Sequence, residues 1–200
     1  MIITVLFVAW AFPLSANTVN KTIVVLGDSL SAGFGLEMRE SWVSLLQQRL
    51  SAEGYGYQVV NASISGDTTT GGLARLPRVL EQHRPGIIIV ELGGNDGLRG
   101  LPVQRLRTNL EQMIALAKDA GAQVVLAGIQ IPPNYGLTYA RSFAQVYPDV
   151  ASQRQVPLIE FILEDVALDP ALMQADGIHP NAAGQPIILD TVWAVIADLL

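Results

Sequence analysis

Val24-Val25-Leu26-Gly27-Asp28-Ser29-Leu30 is an apolar, β-branched run that stops at a glycine and delivers an Asp-Ser pair into the following turn. A strand that ends this way places a hydroxyl at the edge of a sheet. A serine hydroxyl is a weak nucleophile at neutral pH unless a base, usually a histidine oriented by a carboxylate, takes its proton. The chain holds two histidines. His83, in Gln82-His83-Arg84-Pro85, has no acid spaced to orient it, whereas His179, in Asp176-Gly177-Ile178-His179-Pro180, follows an aspartate by three residues. Ser29, His179 and Asp176 are therefore the candidate nucleophile, base and orienting acid.

Working outward from that strand, short apolar runs alternate with longer amphipathic ones, the pattern of a parallel sheet covered by helices on both faces. Strands are expected at Thr22–Leu26, Tyr57–Ala62, Gly86–Leu92, Gln123–Gly128 and Pro157–Ile159. Ile87-Ile88-Ile89-Val90 reads as a central strand buried on both sides. Between them, Trp42, Leu45, Leu46 and Leu50 recur at helical spacing, with Ser41 as N-cap and Gly54 as the stop. Gly72–His83 is a helix that Pro77 should keep short or kinked. Pro102–Ala120 is a long helix with Val103, Leu106, Leu110, Met113, Ile114 and Ala117 on its core face. Tyr139, Phe143, Val146 and Val150 mark another helix, and Asn181 is placed to cap a last one carrying Ile188, Val192, Trp193, Ile196 and Leu200. Ile131–Gly136 is a proline-rich loop, and Glu160–Ala175 has no readable period.

On this scaffold Ser29, Gly66 and Asn95 each follow the end of one of the first three strands, so all three are expected on the carboxyl edge of the sheet, where open α/β sheets bind ligands. Two hundred residues with a net charge of −6 and 50% apolar content suit a folded domain with a large core. No Lys/Arg cluster is present to track phosphates, which argues against nucleic acid. The chain has no cysteine, which removes disulfides, thiolate metal sites and a thiol nucleophile. Met1 to Ala16 is apolar except for Thr4 and Ser15 and is too short to span a bilayer. Residues 1–16 are read as a secretory signal ending in small residues, although no Lys or Arg precedes the apolar run. Gly27-Asp28-Ser29-Leu30-Ser31-Ala32-Gly33 is neither a G-x-G-x-x-G nor a P-loop, and its aspartate would repel a phosphate, which counts against a nucleotide-binding module.

Gly27-Asp28-Ser29-Leu30, Gly66 within Ser63-Ile64-Ser65-Gly66-Asp67, Gly93-Gly94-Asn95-Asp96 and Asp176-Gly177-Ile178-His179-Pro180 resemble, in order, the four sequence blocks of the GDSL or SGNH hydrolases. The stretches Asn61–Thr68 and Val90–Gly100 are similar to the bacterial periplasmic branch of thioesterases, lysophospholipases and arylesterases. The resemblance runs from Thr22 to Leu200. It implies a single domain over residues 22–200 with a three-layer α/β/α, flavodoxin-like fold around a five-stranded parallel sheet. It also implies an acyl-enzyme mechanism without metal or cofactor, and an oxyanion hole made by the backbone N–H groups of Ser29 and Gly66 and the side-chain amide of Asn95. Asp28 and Asp96 are then supporting carboxylates engaged in hydrogen bonds. Expected substrates are aryl and short to medium chain esters, acyl thioesters and lysophospholipids, with a polysaccharide O-acetyl esterase as the alternative. Leu73, Leu76 and Pro77, facing Ile131, Pro132, Pro133, Tyr135 and Leu137, are expected to line an apolar trough for an acyl chain. The resemblance further implies a periplasmic or secreted monomer without a stable membrane anchor.

Overall fold

The computed structural model of the protein describes residues 21–200, so the proposed signal at residues 1–16 lies outside the described residues. Among the described residues, five strands form one parallel sheet in the order β2-β1-β3-β4-β5. They are β1 (Thr22–Gly27), β2 (Gln58–Asn61), β3 (Ile87–Glu91), β4 (Gln123–Ala127) and the short β5 (Leu158–Ile159). Among the described residues, seven α-helices connect and follow them: α1 (Ser29–Ala32), α2 (Trp42–Ala52), α3 (Thr69–His83), α4 (Gly94–Leu98), α5 (Val103–Asp119), α6 (Leu137–Arg154) and α7 (Gln185–Ile196). The three-layer, flavodoxin-like expectation holds.

The layers follow from handedness. The chain steps one way from β1 to β2 and the other way from β2 to β3, β4 and β5, and parallel crossovers are right-handed. Helix α2 therefore covers one face while α3, α5 and α6 cover the other. In agreement, α3 packs on α5 and α5 on α6, while α7, which follows the last strand, packs on α2. The central strands are sealed between these layers: every residue of β3 is buried, and Ile23 to Leu26 have no exposed surface. Each such aliphatic side chain contributes on the order of 2 kcal/mol by leaving water.

The reversal of direction falls between β1 and β3, which pair in register from Ile23 with Ile87 to Gly27 with Glu91. This switch point opens a crevice at the carboxyl ends of the two strands. Ser29 follows β1 there and Asn95 follows β3.

Three sequence expectations need correction. Pro77 does not shorten its helix: α3 starts earlier than expected, at Thr69 with Thr68 as its cap, and runs 15 residues through the proline. Pro77 lies on the exposed side, so its ring needs no room in the core, and the burial of Leu76 and Leu80 offsets the one missing backbone bond. Asn181 does not cap α7, which begins after Gly184. Its side chain instead accepts from Ala183 N–H at 2.9 Å and donates to the carbonyls of Ala171 (2.7 Å) and Met173 (3.2 Å), fastening the chain just after His179. Leu76 does not line a trough either, since it has no exposed surface and belongs to the core, and Ile131 is also buried. Leu73 is half-buried, while Pro77, Pro132, Pro133, Tyr135 and Leu137 are exposed.

Candidate active site

Ser29 is the first residue of α1, and Asp28 caps that helix by accepting the Leu30 N–H at 3.1 Å. The turn is anchored from below by Glu91, the last residue of β3. Its Oε2 accepts from the Ser31 hydroxyl at 2.6 Å and from the Asp28 N–H at 3.3 Å. Gly27 has to be glycine here, because a Cβ would sit 2.7 Å from that carboxyl oxygen and 2.8 Å from the Ser31 side chain. Glu91 is wholly buried and Asp28 nearly so. Burial pushes the Asp28 carboxyl up to about 6, against the opposing pull of Leu30 N–H, the Asn95 amide and His179. Burial, reinforced by the facing Asp28, raises Glu91 well above the ordinary carboxylate range.

His179 reaches the same place from a loop 150 residues away. Its Nε2 lies 2.8 Å from Ser29 Oγ and its Nδ1 lies 2.7 Å from Asp176 Oδ2. The other oxygen of Asp176 accepts the backbone N–H groups of Ile178 (2.9 Å) and His179 (3.0 Å), so the carboxylate and the ring it orients are held by one tight turn. The His179 backbone and ring bonds, then the Ile178 bond, hold the Asp176 carboxyl down at about 2. Asp176 therefore remains ionised wherever a histidine could act as base.

Asn95, in α4, donates from Nδ2 to Asp28 Oδ2 at 3.1 Å, which leaves its second amide hydrogen for another acceptor. Gly66 is exposed and has φ of 81°, with open space where a Cβ would be, so it is the left-handed turn that calls for glycine there. The loop carrying Gly66 is tied to the end of β1 by Ile64 N–H to Gly27 O at 3.0 Å. Arg75 of α3 secures it further, pairing with Asp67 at 2.7 Å while donating to the carbonyls of Ala62 and Gly27. Arg99, just past α4, donates to Gly66 O at 2.9 Å and so links the Gly66 and Asn95 segments. Asp96 is buried, and its two oxygens accept from Thr69 N–H (2.8 Å) and Thr69 Oγ1 (2.6 Å), joining α4 to the start of α3.

Sequence reading passed over Glu91, Arg75, Arg99, Phe34 and Gln174. Glu91 did leave a signal, because a carboxylate ending an otherwise apolar, doubly covered strand has to find partners inside the protein. The Asp28, Asp96 and Asp176 carboxylates are each engaged in the hydrogen bonds just described. Chemically, the arrangement offers a hydroxyl on a base, a base on an ionised acid, and the Asn95 amide bonded to the carboxylate of Asp28, the residue before the hydroxyl.

Residues 25–187 match the GDSL-like lipase/acylhydrolase family. The chain is 51% identical over 187 residues to esterase TesA of Pseudomonas aeruginosa, covering 94% of this chain and 93% of that protein. It is 48% identical to an arylesterase of Vibrio mimicus over 89% of each chain. It is 47% identical to thioesterase 1/protease 1/lysophospholipase L1 of Escherichia coli K12, covering 84% of this chain and 80% of that one. The crystal structure of TesA superposes with a TM-score of 0.88 at 52% identity, covering 90% of this chain and 99% of that chain. On the match to the family, the relatives and the shared fold together, the chain belongs to the GDSL-like lipase/acylhydrolase family.

Proposed function

We propose that the protein is a serine esterase that hydrolyses carboxylic esters and acyl thioesters through an acyl-enzyme on Ser29. The observation that carries this reading is the pair of contacts from Ser29 Oγ to His179 Nε2 (2.8 Å) and from His179 Nδ1 to Asp176 Oδ2 (2.7 Å). In the first step Ser29 Oγ bonds to the acyl carbon and its proton passes to His179 Nε2. The tetrahedral adduct then collapses, breaking the bond to the leaving oxygen or sulfur, which takes the proton from Nε2 and departs as an alcohol or thiol. Water attacks the acyl-enzyme by the same route in reverse, releasing the carboxylic acid and restoring the Ser29 hydroxyl.

The oxyanion formed in each half-reaction is stabilised by Ser29 N–H, Gly66 N–H and Asn95 Nδ2. Ser29 N–H belongs to the first turn of α1 and has no carbonyl upstream in that helix to bond. Asn95 has a free amide hydrogen because Asp28 takes only one. Each such donor is worth on the order of 3 kcal/mol in the transition state. No cofactor enters this chemistry.

Aryl esters, acyl thioesters and lysophospholipids are the substrate classes this reading favours, in keeping with the names of the arylesterase and thioesterase/lysophospholipase relatives. The protein acts as a periplasmic or secreted monomer after loss of residues 1–16. The basis for that location is the apolar run ending in Ser15-Ala16; among the described residues, no helix is long and apolar enough to cross a membrane. The test is hydrolysis of nitrophenyl esters from acetyl to palmitoyl by the parent and by Ser29→Ala. The reading expects a medium-chain optimum and a loss of several orders of magnitude in the variant. Undiminished activity in Ser29→Ala would remove the nucleophile, and a rate confined to acetyl would favour the polysaccharide O-acetyl esterase.

A further inference from the structure

We infer that Phe34 is the binding platform for the leaving group, and that its ring makes the enzyme favour esters whose departing alcohol or thiol is aromatic. This inference rests on the serine esterase reading above. Phe34 is half exposed, yet its ring lies 4.5 Å from the imidazole of His179, tilted by 37°. It is not carried on a loose loop. The Phe34 N–H donates to Ser29 O at 3.1 Å, and its carbonyl accepts from Gln174 Nε2 at 2.7 Å. The same amide nitrogen donates to Pro180 O at 3.0 Å, so Gln174 joins the Ser29 segment to the His179 segment directly behind Phe34. Any Cβ on Gly35 would strike the Gln174 side chain, so this clamp has been given room.

Chemistry identifies which part of the substrate meets the ring. His179 Nε2 delivers its proton to the leaving atom, so that atom must lie next to the imidazole when the acyl bond breaks. A side chain packed against the imidazole is therefore beside the leaving group, on the far side of the scissile bond from the acyl chain. A phenyl ring held half in water has apolar area still to cover, and a flat aromatic group covers it with an added stacking preference. Ile178, 40% exposed and adjacent to His179 in the chain, adds apolar surface to the same loop.

The rival role for Phe34 is to steady the imidazole, and the two roles move one observable in opposite directions. The experiment compares kcat/KM for phenyl butyrate and ethyl butyrate in the parent, Phe34→Ala and Phe34→Leu, with circular dichroism melting to confirm folding. Both esters give the same acyl-enzyme, so their ratio reports only the leaving-group side. If Phe34 binds the departing ring, the phenyl-to-ethyl ratio falls about tenfold in Phe34→Ala and several-fold in Phe34→Leu. If Phe34 only steadies His179, the poorer leaving group suffers more from a weakened acid, and the ratio stays level or rises. That result overturns the inference while leaving the esterase reading intact. A parent with no Ser29-dependent hydrolysis of either ester removes both.

Discussion

The two halves of the candidate site are held in place by different means. On the nucleophile side, Ser29 rides on a turn whose supports are distant in sequence: the buried Glu91 beneath it, 60 residues from Ser31, and the half-buried Asn95, 67 residues from Asp28. On the base side, Asp176 and His179 lie within one exposed turn and are organised by bonds spanning two or three residues. The nucleophile is thus placed by the core of the sheet, whereas the base is placed by local turn chemistry and a few ties such as Gln174 and Asn181. A lesion on the first side should cost stability as well as rate, and a lesion on the second should cost mainly rate.

The sharpest way to break that contrast is His179→Ala. We expect kcat/KM to fall by about 10⁴-fold or more, with unfolding free energy changed by no more than about 1 kcal/mol, measured by ester hydrolysis and denaturant melts on the same preparation. A large loss of stability would mean that the base loop is part of the core after all. On the other side, Glu91→Ala leaves the Ser31 hydroxyl and the Asp28 N–H buried without their acceptor. It should destabilise the fold by about 4 kcal/mol in urea, and Glu91→Gln, which still accepts, by clearly less.

The Asp28 carboxyl sharpens the contrast through pH. Its folded-state value is raised to about 6 from an ordinary 3.8, so the folded state holds the proton more tightly than the unfolded chain. The stability this contributes is fully present below pH ~4 and lost as pH rises through about 6. From pH 4 to pH 7 the parent should lose about 2 kcal/mol relative to Asp28→Asn, read from urea midpoints at pH 4, 5, 6 and 7. Asp176 works the other way, its depressed value adding stability that is lost only as pH falls from about 4 towards 2. The smallest effect is expected for Gln174→Ala, which removes the hydrogen bond to Phe34 O that crosses between the halves and the one to Pro180 O within the base-side loop. Stability should drop by about 1 kcal/mol and kcat/KM by a few-fold.

The same contrast explains what could be read from the chain. β-Branched runs such as Ile87-Ile88-Ile89-Val90 and helical spacings such as Leu106, Leu110, Met113 and Ala117 announce their elements because burial alone decides them. The base side was legible for a different reason: Asp176 and His179 interact within one turn, so their spacing is itself the geometry. What stayed hidden depends on which elements become neighbours. Glu91 meets Gly27 only through the β1–β3 register, and Phe34 meets His179 only when two loops 140 residues and more apart converge. Pro77 misled because a proline's effect on a helix depends on whether its ring faces solvent, and Leu76 because apolar residues near a site look alike whether they line it or lie beneath it.

Everything proposed for the site requires Ser29 to be the group that becomes acylated. Exposing the protein to an alkyl fluorophosphonate and mapping the added mass by peptide mass spectrometry tests it most directly. One adduct is expected, on the peptide carrying Ser29, growing in step with the loss of esterase activity and absent from Ser29→Ala and His179→Ala. An adduct on another residue, or esterase activity that survives complete labelling of Ser29, would contradict it.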